Sequence, residues 1–177
     1  MKKYEFTGET KEIRLLFRTA TLHRIRATVA FGIVEVGDLG GWIEKEENLS
    51  HEGKAWVCGD AKVCGDAEVC GDAKVWGNAE VWGNAEVCGD AEVFSASHVL
   101  VIGAIGSRND FTTFYRDKDN EITVKCGCFL GKIDRFLEKV TQTHGDSKYA
   151  LVYRAAVEVA KLQIDLSGEA PKDADEE

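Results

Sequence analysis

No apolar run in this 177-residue chain approaches the ~20 residues a membrane span requires, so no membrane partner is expected. The basic start, residues 1–14, lacks an apolar h-region, so no secretory signal is read and the expected location is the cytoplasm. In that compartment the six cysteines are expected as reduced thiols rather than a disulfide framework. Histidine is scarce, at four residues, and none completes a metal site around Cys70 and Cys88. Cys126 and Cys128 are one residue apart, with no second thiol pair, and alternate with Ile122 and Val124 as core residues do. Neither a metal nor a cofactor is therefore expected. The only proline lies in the tail SGEAPKDADEE, which has no apolar periodicity, so 167–177 is expected to be a disordered acidic tail.

The formal charge of −9 is segregated. Residues 1–30 carry 7 basic and 3 acidic groups, whereas 31–98 carry 4 basic and 14 acidic. Residues 99–166 are nearly balanced, with 10 basic and 9 acidic groups. The acidic stretch would repel phosphates, which argues against direct nucleic-acid binding. Regularly spaced carboxylates on a narrow rod can imitate DNA, but four lysines interrupt these rows.

That acidic stretch is a repeat. Valine recurs at 57, 63, 69, 75, 81, 87 and 93, in the phrase Val–x–Gly–Asp/Asn–Ala–x. Alanine, a charge and the next valine alternate as a strand does, for about three residues. Gly-Asp or Gly-Asn then turns the chain. A helix of period 3.6 would scatter the valines around its surface. Short strands with a corner every six residues predict stacked triangular turns of 18 residues, because one repeat cannot bury its apolar face alone. On that register Lys62 falls between Glu44 and Glu80, while Glu68 meets Glu86. The second place of each hexad carries Cys58, Cys64, Cys70, Trp76, Trp82, Cys88 and Phe94. Of these, Trp76, Trp82 and Phe94 are the candidate contact surface of a homo-oligomer, since exposed aromatics favour interfaces.

The pattern resembles the hexapeptide-repeat, left-handed parallel β-helix proteins. The aliphatic and small positions match at Val63 and Ala67, while glycine comes one place late, at Gly65. The fold this implies is mainly β: a short parallel, left-handed β-helix of about three coils at 39–98. An N-terminal strand cap (1–38) and a small α+β domain (99–166) would flank it. In the latter, VLVIGAI is expected as a buried strand, and FTTFYR and EITVKCGC as strands joined at Asp117–Asn120. Two helices follow, the first with Ile133, Phe136, Leu137 and Val140 on one face. The second carries Tyr149, Val152, Tyr153, Ala156 and Ala160, with Ser147 as N-cap.

Many hexapeptide-repeat proteins are acyltransferases that use a histidine base and coenzyme A. Here His51 and His98 fall at the two ends of the repeat and no long loop builds an acceptor pocket, so no catalytic residue is assigned. The candidate ligand site is Ser107, Arg108, Thr113, Tyr115, Arg116 and His144. A Gly-Ser-Arg loop at a strand end can hold an anion through backbone N–H groups and a guanidinium fork. The phrases GDLGGWIE, NLSHEGKAWV, IGSRNDFTTFY and CGCFLGKIDRFLEKV, together with the hexads, resemble a family of phage and prophage proteins. The resemblance implies a phage protein in a host cell. The expected function is a binding protein that counters host defence, through either a defence protein or a small nucleotide signal. An acyltransferase-like enzyme and a structural or assembly module are the alternatives.

Overall fold

The computed structural model describes residues 2–15 and 18–168. The segment 169–177 of the expected disordered tail lies outside the described residues. The chain opens with an antiparallel hairpin, β1 (Tyr4–Arg14) and β2 (Thr19–Ala27). Its register shifts between Phe6 and Thr10, where Gly8 takes a φ of +92°. Leu22 and Ile25, an odd number of positions apart on β2, point to opposite faces of the sheet, and both are fully buried: Ile25 packs among the repeat valines, Leu22 against Trp42 and Cys64. β1 is a sheet edge, and Glu5, Glu9, Lys11, Glu12 and Arg14 discourage edge-to-edge pairing along it.

β2 runs antiparallel to β3 (Leu39–Ile43), which leads into the repeat. Seven two-residue strands follow: β4 (Trp56–Val57), β5 (Lys62–Val63), β6 (Glu68–Val69), β7 (Lys74–Val75), β8 (Glu80–Val81), β9 (Glu86–Val87) and β10 (Glu92–Val93). They pair in parallel with partners 18 residues away: Val57 with Val75, Val63 with Val81, Val69 with Val87. Every repeat valine is fully buried, and the alanines two places before them are too. The strands stay short because the Gly-Asp/Asn corner takes up the rest of each hexad. At Gly71, φ is +70° and a Cβ would stand 2.8 Å from the amide nitrogen of Gly89, so glycine is required twice over.

The expected β-helix is corrected by the sheet arrangement. The sheets are separate and open: a mixed one ordered β1-β2-β3-β5-β8, two parallel ones, β10-β7-β4 and β6-β9, and an antiparallel one. No sheet closes or winds into a solenoid among the described residues. The physical reason is twofold. Two-residue ladders are only two or three strands deep, and the N-terminal hairpin joins β3 edge-on rather than capping it. The expected thiol state is corrected for two of the six cysteines, Cys70 and Cys88, which are joined as a disulfide. They hold equivalent places in β6–β9 neighbours 18 residues apart, which puts their Cα atoms 4.6 Å from each other.

The antiparallel sheet is a meander of β11 (Val99–Ile105), β12 (Asp110–Arg116), β13 (Ile122–Cys126) and β14 (Phe129–Lys132). β14 was not anticipated. β11, expected to be buried, is an edge strand and half-exposed. α1 (Ile133–His144) and α2 (Lys148–Gln163) cover the sheet. Phe114, Val124, Phe136, Val140, Tyr153 and Val157 form that core. Side chains alternate along β12, so Phe114 enters this core while Tyr115 enters the core of the repeat.

Candidate binding cleft

The residues expected to form one ligand site are distributed over three settings. Ser107 and Arg108 lie exposed on the β11–β12 turn. Thr113 and Tyr115 are buried against the repeat, where the Thr113 hydroxyl accepts the Glu86 N–H at 3.0 Å and the Tyr115 hydroxyl donates to the Cys88 carbonyl at 2.8 Å. Burial holds the Tyr115 hydroxyl well above the ordinary tyrosine range. Arg116 is only 2% exposed. Its Nε donates to Asn120 Oδ1 at 2.8 Å and its Nη2 to the Gly168 carbonyl at 2.8 Å, with the guanidinium 4.6 Å from the Phe94 ring centre. The His144 ring stacks on Tyr153 at 5.8 Å, and Tyr153 lies against the β11–β12 turn, its hydroxyl 2.0 Å from where a Cβ on Gly106 would stand, so His144 belongs with the setting of Ser107 and Arg108. Among the described residues these six side chains do not line one cleft together.

The three candidate interface aromatics also separate. Trp76 meets Phe94 edge-to-face at 6.2 Å, and Arg116 and His98 pack on Phe94, so both rings are half-buried by contacts within the chain. Trp82 is 58% exposed, beside a cavity of about 560 Å³ lined by Ile13, Leu15, Cys64 and Val81.

A better-formed cleft, of about 260 Å³, runs along the outer side of β4, β7 and β10. Phe31 and Trp56 make one apolar wall, edge-to-face at 5.4 Å, and Trp76 the other. The register places Trp56 beside Lys74, so one 18-residue step alternates an aromatic with a cation. Lys54, Lys74 and Lys118 line the cleft together with Asp72, Asp90 and Glu92. The pairings are loose: Lys74 Nζ is 3.6 Å from Glu92 and 5.6 Å from the Trp76 ring centre, and Lys118 Nζ is 3.3 Å from Asp90. The Lys54 side chain has no ion-pair partner among the described residues. Trp76 Nε1 is buried without a hydrogen-bond partner. Behind the wall, Lys3 sits 5.0 Å from the Phe31 ring centre and donates to the Ala55 carbonyl at 2.7 Å. Burial lowers its pKa to about 8, against the opposing pull of Asp72.

Sequence reasoning found Trp76 but missed Phe31, Trp56 and the lysines. The signal available was the 18-residue register itself, which stacks Trp56 on Lys74 and Lys74 on Glu92. Phe31 arrives from the β2–β3 connection, and no repeat register reaches it.

The histidines at the ends of the repeat are packed. His51 stacks on Tyr4 at 4.3 Å and its Nδ1 accepts the Lys3 N–H, while His98 is buried and its Nδ1 accepts the Phe94 N–H. Among the described residues no group of three or more His, Cys, Asp or Glu side chains could hold a metal ion. No helix among them is long and apolar enough to cross a membrane. No protein-family model matches the chain, and neither does any curated protein.

Proposed function

We propose that this is a non-catalytic binding protein of phage type that counters host defence by sequestering a nucleotide signal, and that the Phe31–Trp56–Trp76 cleft is where the nucleotide is held. The observation that carries this reading is the pairing of aromatic walls with lysines at one-strand spacing. A base has two π-faces for Trp and Phe, and stacking is worth ~1–3 kcal/mol per base. Lys54, Lys74 and Lys118 supply ammonium groups for phosphate, and Asp72, Asp90 and Glu92 can accept from the amino groups of a base. A volume of about 260 Å³ is near the lower end for ligand sites, which suits one base with its first phosphate. The engagement of His51 and His98 in backbone contacts supports binding over acyl transfer.

The test is calorimetry with linear and cyclic nucleotides, followed by heat release and chromatography of the ligand. A stoichiometric ligand recovered intact is the expected result. Trp76→Ala and Lys54→Ala are each expected to weaken binding tenfold or more, on the order of 1.5–3 kcal/mol for the charge-assisted contact. No heat with any nucleotide, together with co-purification of a host protein, would replace this reading by the defence-protein one. Turnover of the ligand would overturn the non-catalytic assignment.

A further inference from the structure

α2 is apolar on two sides. One side buries Ala150, Tyr153, Ala156, Val157 and Ala160 against α1 and the antiparallel sheet. The other leaves Leu151, Val152, Val159 and Leu162 in solvent, Leu162 at 89% exposure, with Ala155 exposed between them. At 100° per residue, Leu151, Ala155, Val159 and Leu162 fall in one narrow stripe along the whole helix. Their spacing of four, four and three is that of a helix–helix packing seam. The exposed positions of α1 are different in kind: Asp134, Arg135, Glu138, Lys139, Thr141, Gln142 and Thr143 are all polar.

We propose that this stripe is a dimer interface whose occupant is α2 of a second copy, packed antiparallel about a two-fold axis through Ala155. Ala155 lies at the middle of Lys148–Gln163, so the seam is self-complementary. Leu151 of one copy meets Val159 of the other, and the stem of Lys148 covers Leu162. The charges select the direction. Arg154 and Glu158 stand on the same side of the stripe. In an antiparallel pair that side meets its own copy in reverse, which brings Glu158 within two residues, ~3 Å along the axis, of Arg154 of the other copy. In a parallel pair the same side faces Val152 and Gln163, and neither charge gains a partner. Glu158 is exposed and bonds Lys161 at 2.9 Å, a surface pair it can exchange on association at little cost. Arg154 is half-buried: it donates to Thr141 Oγ1 and the Gly145 carbonyl at 3.2 Å and stands 3.5 Å from Asp146, contacts that hold its guanidinium beside the stripe.

The test is sedimentation equilibrium of the full chain over a wide concentration range. The expected mass is twice 19.5 kDa. Leu162→Lys changes a side chain that touches almost nothing in one copy, so it leaves the fold intact. Because it acts twice in a symmetric pair, it should weaken dimerisation roughly tenfold or more. Glu158→Arg and Arg154→Glu alone should each weaken the dimer, and the two together should restore it. A monomer at every concentration would overturn the proposal. So would a dimer that survives Leu162→Lys but dissociates on Trp82→Glu, since that would place the interface on the Trp82 face. Failure of the double charge exchange to restore association would overturn the antiparallel arrangement.

Discussion

Asp117 is a fully buried carboxylate that organises a turn by itself. It accepts from the Thr123 hydroxyl at 2.6 Å and from the N–H groups of Asp119 and Glu121 at 3.0 and 3.2 Å, and it pairs with Lys132. Burial alone would raise its pKa; Lys132, Thr123 and the turn amides together outweigh burial and hold it below the ordinary value. Asp117→Ala should therefore destabilise the protein by about 3 kcal/mol, the lower end for breaking a buried pair because Lys132 keeps Glu121 at 2.7 Å. A urea midpoint unchanged from wild type would refute this. Glu44 gives a pH prediction. Arg18 and, against burial, the Gly65 N–H lower its pKa to about 2 from 4.5. Its folded pKa lies below its unfolded one, so its contribution is complete above pH 4.5 and is lost as pH falls through about 2. Melting curves of wild type and Arg18→Ala should differ near neutral pH and converge at the acid end of that window; a constant gap would count against the pair. At this scale the sequence was readable for the burial of the repeat valines and alanines and unreadable for partnership. Arg116 looked like a surface anion ligand, because nothing in FTTFYRDKDN shows that Phe94 and Asn120 enclose its guanidinium. Lys62 was expected between two acids; it bonds Glu80 at 2.6 Å, while Arg18 from the hairpin takes Glu44.

Elements whose spacing recurs were legible, and those shaped by tertiary contact were not. The valine period places β4 to β10 and their 18-residue pairing, since only that register buries every valine. How the ladders join into sheets depends on β3 being taken by the hairpin, which no local pattern records. On α2 the inward face was read as Tyr149, Val152, Tyr153, Ala156 and Ala160; in the structure Tyr153, Ala156 and Ala160 are buried, but Val152 is exposed and Val157 is buried in addition. A helix apolar on both sides has no unique inward face in its sequence. The disulfide belongs to this scale as well, since it ties β6 to β9 through residues 18 apart. Closing a loop of that length removes denatured-state freedom worth about 3 kcal/mol. Cys70→Ala with Cys88→Ala should lower stability by about that amount. It should also abolish any response to a dithiol reductant, to which the wild type should respond by the same loss. If reductant leaves the wild-type urea midpoint unmoved, the bridge contributes nothing to stability.

At the scale of the molecule, the repeat ends on β12, and that strand couples the two cores. Thr113 and Tyr115 bond the backbone of Glu86 and Cys88, Asp117 bridges to Ala91, Lys118 donates its N–H to Asp90, and Lys125 pairs with Glu86 at 2.6 Å. These contacts cover the last strand edges of β9 and β10, which would otherwise be open to pairing with other chains. Tyr115 is central because its ring fills the end of the repeat core while Phe114, one residue earlier, fills the helical core. Tyr115→Phe removes one hydrogen bond to a buried carbonyl and should cost about 1 kcal/mol. Tyr115→Ala leaves a cavity where the cores meet, and should cost about 3–5 kcal/mol. It should also uncouple the two halves. The chain supplies separate probes for them: its four tryptophans, Trp42, Trp56, Trp76 and Trp82, all precede β11, while both helices follow it. Tryptophan fluorescence therefore reports the repeat and the mixed sheet, and helical circular dichroism reports the C-terminal layer. In wild type the two denaturation curves should coincide, as a two-state unit requires. In Tyr115→Ala they should separate, with the fluorescence midpoint at lower denaturant because the repeat loses its end cover. Curves that already diverge in wild type, or that still coincide in Tyr115→Ala, would show that β12 does not couple the cores.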